Sequence, residues 1–63
     1  MTRVLIIKAN GKIVDRVFKP WEEVTEYHRD MILASELEEG DKAIIGTQVY
    51  IKRGRSLWPL KVK

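Results

Sequence analysis

No cysteine occurs among the 63 residues, so neither a disulfide framework nor a thiolate metal site is open to this chain. A chain this short has a small core and lacks the staples that usually supplement one, which leaves packing or self-association to compensate. Histidine is scarce as well. With His28 as the one imidazole and no thiol, the sequence offers no nucleophile beside a base and no tuned acid–base pair, and it reads as non-enzymatic. His28 falls within the apolar arc of a helix and reads as a satisfied, partly buried side chain. Glycines 40, 46 and 54 are isolated, so there is no Walker loop or GxGxxG cradle, and no cofactor is expected. The carboxylates of Glu36, Glu38, Glu39 and Asp41 lack the alternating spacing of a calcium loop; they read as a solvated acidic turn, with no metal. No apolar run approaches the length of a membrane span, and MTRVLIIKAN is too brief for a signal sequence, so the expectation is a cytoplasmic protein.

Repeats, low-complexity tracts and Pro/Gly/Ser linkers are also missing, and the chain reads as a single domain over residues 1–63. With one Asn and one Gln against abundant Lys, Glu, Ile and Val, the composition carries the bias of hyperthermophile proteins.

What the sequence does have is charge arranged in blocks. Arg3, Lys8, Lys12, Arg16 and Lys19 stand against Asp15 in residues 1–20, a block of +4. Eight carboxylates face only Arg29 in residues 21–41, a block of −7, and the six cations of residues 42–63 have no acidic neighbour, giving the overall +3. Size, basicity and this composition are similar to those of small archaeal chromatin or ribosome-associated proteins, a likeness of composition that carries no motif and no residue roles.

The pattern predicts an α+β domain of order ββαβββ, a mainly antiparallel five-stranded sheet with one amphipathic helix packed on one face. Asn10-Gly11 between β-prone runs predicts a hairpin of strands near 3–9 and 12–18 closed by a two-residue type I′ turn. Val4 to Ile7 is an unbroken apolar run, which suits a central strand covered on both faces. Pro20, followed by Glu22 and Glu23, predicts a helix start, with an end between Ser35 and Leu37. At 100° per residue its apolar arc holds Trp21, Val24, Tyr27, His28, Met31, Ile32, Ala34 and Ser35. Leu33 and Leu37 then project from the acidic side.

Gly46-Thr47 predicts a type II′ turn and Gly54-Arg55 a second turn, which pair Ile45 with Gln48, Ala43 with Tyr50, Lys52 with Leu57 and Tyr50 with Pro59. Pro59 confines the last strand to an edge. One face of these strands carries Ile44, Val49, Ile51, Trp58, Leu60 and Val62, and is expected beneath the helix. The other carries Tyr50, Lys52 and Lys61 with Arg53 and Arg55 at the adjoining turn. Cations around an aromatic ring on an open sheet face suit nucleic acid, RNA or DNA, with phosphates on Lys52, Arg53, Arg55 and Lys61 and a base stacked on Tyr50. The plainer alternative is a solubilising face with Tyr50 as a cross-strand packing residue. A rival function is a protein-interaction or dimerisation module, in which Glu22, Glu26, Leu33 and Leu37 meet a protein partner or a second copy.

Overall fold

The computed structural model describes residues 1–60, and it contains the expected α+β order. The strands are β1 (Thr2–Ile7), β2 (Ile13–Phe18), β3 (Lys42–Ile45), β4 (Gln48–Arg53) and β5 (Ser56–Leu60), and the helix is α1 (Glu26–Glu36). They form one five-stranded sheet in the order β2-β1-β3-β4-β5, every neighbouring pair antiparallel. The apolar β1 is interior, as its continuous hydrophobic run requires, and the proline-bearing β5 is an edge.

Both glycine turns of the second half set the registers the sequence predicts. Ile45 pairs with Gln48 and Ala43 with Tyr50 across β3–β4; Lys52 pairs with Leu57 and Tyr50 with Pro59 across β4–β5. Gly46 supplies the positive φ of +62° that the first position of a type II′ turn demands, with Thr47 on the ordinary side.

The first hairpin closes differently. Gly11 alone has positive φ, at +92°, while Asn10 does not, so no type I′ turn forms. Gly11 N donates to Lys8 O at 2.8 Å and Lys8 N to Lys12 O at 2.7 Å, the pattern of a type I turn followed by a glycine bulge. Asn10 is spent on the loop itself, its side-chain oxygen accepting from Lys12 N at 2.9 Å.

The helix also begins later than Pro20 suggests. Pro20–Glu22 is a 3₁₀ turn, tied when the Lys19 amide donates to Glu22 Oε1 at 3.0 Å, and the chain then breaks before Thr25. Thr25 caps α1 by accepting from His28 N at 2.9 Å. This later start changes which residues face the sheet. Leu33 and Leu37, expected on the outside, are 0% and 5% exposed and join Val4, Ile6, Phe18 and Ala43 in the core. Trp21, Val24, Tyr27 and Met31, expected inside, are exposed. Leu33 and Leu37 therefore cannot serve as surface contacts. His28 is half-buried, and its Nδ1 is buried without a hydrogen-bond partner among the described residues, so it is not the satisfied histidine expected.

The helix covers the opposite face of the sheet from the one expected. Since β2 and β3 both run antiparallel to β1, they run parallel to each other, and α1 is the crossover between them. Crossovers of this kind are right-handed in nearly all proteins, which selects one face of the sheet regardless of how apolar the other is. The selected face holds Val4, Ile6, Phe18, Ala43, Tyr50, Lys52 and Leu57.

Candidate interaction face

The cations of the first half answer the acidic block from within the chain. Arg16, with its guanidinium 4.1 Å over the Phe18 ring, bridges Glu22 Oε2 at 3.0 Å and Glu36 Oε2 at 2.9 Å. These carboxylates hold its pKa above the ordinary arginine value, Glu36 contributing most. Lys8 Nζ reaches Asp41 Oδ2 at 2.6 Å, and Asp41, 1% exposed, also accepts from the Ala9 and Glu38 amides, each at 2.9 Å. Glu22 is thus an internal ion-pair partner in the 3₁₀ turn rather than half of a like-charge pair on a helix. Glu26 remains exposed on the first turn of α1. Much of the charge segregation serves internal pairing, which neither composition nor local periodicity reveals because the partners lie 6, 20 and 33 residues apart.

The residues predicted to hold nucleic acid do not share an open face. Lys52 is 8% exposed, and its Nζ donates to the Leu37 carbonyl at 2.8 Å and to the Ala34 carbonyl, closing the end of α1. Tyr50 is half-buried on the helix side, where it lines a cleft of about 380 Å³ together with Tyr27, Met31, Leu57 and Arg55. Arg53 belongs to the other face, opposite Ser56. Lys61, like Val62, lies outside the described residues. An alternating strand shows only which side chains travel together; that one lysine would be drawn under the helix to cap it carries no local signal.

The uncovered face is the apolar one. β1 contributes Leu5 and Ile7, β2 Ile13 and Val17, β3 Ile44, β4 Val49 and Ile51, and β5 Trp58 and Leu60, nine large apolar residues. Five of them, Leu5, Ile13, Val17, Trp58 and Leu60, are exposed, Trp58 by 57%. Registers align them in two rows across the strands: Leu5, Ile44, Val49 and Leu60 in one, with Asp15 at its β2 end, and Ile13, Ile7, Ile51 and Trp58 in the next, with Lys42 between Ile7 and Ile51. Five strands at about 4.8 Å spacing carry these rows over a width of about 24 Å. Few charges interrupt them. Arg3 is paired with Asp15 at 2.5 Å at one corner, Lys42 stands near the middle, and Arg53 lies at the opposite corner. Contiguous apolar patches larger than a few hundred Å² are rare on folded monomers.

Among the described residues no three metal-ligating side chains come together, and no helix is long and apolar enough to cross a membrane. No family model matches the chain, and neither a curated protein nor a solved structure matches it.

Proposed function

We propose that this chain is a protein-interaction module whose contact surface is the open face of the sheet, and that the partner presents a flat apolar protein surface. The observation that carries the reading is the distribution of hydrophobic residues: nine large ones lie on the uncovered face, and five of these, Leu5, Ile13, Val17, Trp58 and Leu60, are exposed. At about 25 cal/mol per Å² of apolar surface removed from water, covering that face is the largest favourable term still open to the folded chain. The run Val4 to Ile7 points the same way, because a strand apolar on both sides is normally covered on both sides.

The charges on the face favour protein over nucleic acid. Binding to a phosphate backbone rests on several unpaired cations, whereas Arg3 is engaged by Asp15 and, among the described residues of this face, Lys42 and Arg53 are the cations that remain beside nine apolar neighbours. A photoreactive benzoylphenylalanine at position 44 tests the reading in cells that express the chain. It should cross-link to protein, resist nuclease, and lose the cross-link when Ile51→Lys is added. Cross-links to nucleic acid, or an equal yield with Ile51→Lys, would overturn it.

A further inference from the structure

We infer that the surface which covers the open face is the same face of a second copy, so that two sheets pack into a symmetric sandwich. This inference rests on the reading of the face as a protein contact. Four observations lead to it. The face is about 24 Å across the strands and about 20 Å along them, close to square, so it superposes on itself with the strands of the two copies aligned or crossed at right angles. Its projected area, about 480 Å², rises with side-chain relief toward the ~600 Å² per partner at the lower end of specific interfaces. A second copy is present at the chain's own concentration and supplies the core that a small unstapled domain lacks.

The fourth observation is the placement of charge. Arg3 and Asp15 occupy one corner of the face and Arg53 and Trp58 the diagonally opposite one. A two-fold axis lying in the interface along that diagonal exchanges the positions within each corner. Arg3 then meets Asp15 of the second copy, and Arg53 lies over the Trp58 ring of the second copy, each contact occurring twice. Nearer the axis, Leu5, Ile44 and Ile51 meet apolar residues, and Ile7 meets Val49 of the second copy. Lys42, near the centre, has a long aliphatic stem that can lie along the partner's surface while its ammonium reaches solvent.

Sedimentation velocity on the pure chain, from about 1 to 100 µM, tests this at the concentrations where an interface of this size assembles. The parent should run as a dimer at the upper end. Ile44→Lys and Ile51→Lys should each run as monomers with unchanged far-UV circular dichroism, whereas Tyr27→Lys on the helix side should dimerise like the parent. Arg3→Asp and Asp15→Arg should each weaken the dimer about tenfold, and the double swap should restore it. A parent that is monomeric throughout would overturn the second copy as partner; the cross-link from position 44 would then still report on the face itself. A dimer that survives Ile44→Lys but is lost in Tyr27→Lys would overturn both the symmetric sandwich and the assignment of the face.

Discussion

Lys52 Nζ donates to the carbonyl oxygen of Leu37 at 2.8 Å, joining a central position of β4 to the end of α1. The same ammonium also serves Ala34 O, so a strand side chain satisfies two of the carbonyls that the last turn of a helix leaves open. Lys52→Met keeps the aliphatic stem and removes the donors. It should destabilise the fold by about 1–3 kcal/mol, the cost of stranding buried acceptors, when measured by urea unfolding. Association through the open face should be unaffected, because Lys52 lies on the other side of the sheet.

Asp41 ties the first hairpin loop to the turn after α1. Burial on its own would raise its carboxyl pKa, but hydrogen bonds from Lys8, Glu38 N and Ala9 N outweigh burial and hold it below the ordinary 3.8. A carboxyl depressed in the folded state contributes stability above its unfolded pKa and loses that contribution as pH falls through the folded value. Asp41→Asn should therefore cost about 1–3 kcal/mol near neutral pH. Urea melts of both proteins should converge as pH is lowered past 3.8, because protonation removes from the parent what the substitution has already removed from the variant.

Two leucine-sized deletions on opposite sides of the sheet should differ sharply. Leu33 is fully buried against Val4, Phe18 and Leu37, and Leu33→Ala should cost about 2–5 kcal/mol. Ile44→Thr, on the open face and still β-prone, should change monomer stability by about 0.5 kcal/mol or less. Thermal unfolding at a concentration where association is absent makes the comparison.

Thr25 is where the helix begins, and its side-chain oxygen accepts from His28 N. Thr25→Ala should lose about 1 kcal/mol, which in a domain of this size lowers the melting midpoint by about 4–8 °C. A helix that started at Pro20 would tolerate the substitution.

Element order and the two C-terminal registers were legible in the sequence because glycine at the first loop position dictates both turn type and pairing. Asn10-Gly11 misled because two turn types place glycine at positive φ, and the choice between them depends on whether Asn10 follows it there. The phase of α1 was lost for a related reason: Pro20 opens a 3₁₀ turn as readily as a helix, and starting the wheel there sends Leu33 and Leu37 outward. Sidedness was the largest gap. Both faces of β1 and β4 carry apolar residues, so hydrophobicity does not choose between them, whereas crossover handedness does. The candidate contact face followed from that choice alone.

The absence of cysteine makes the central claim directly measurable, since one introduced thiol reports on one position. Ile44→Cys places it mid-face, and Lys12→Cys places a reference thiol in the exposed hairpin loop. Maleimide labelling in intact cells should modify position 44 far more slowly than position 12, and adding Ile51→Lys should restore fast labelling at 44. Equal rates at the two positions, with or without Ile51→Lys, would show that nothing covers the face and would contradict the account.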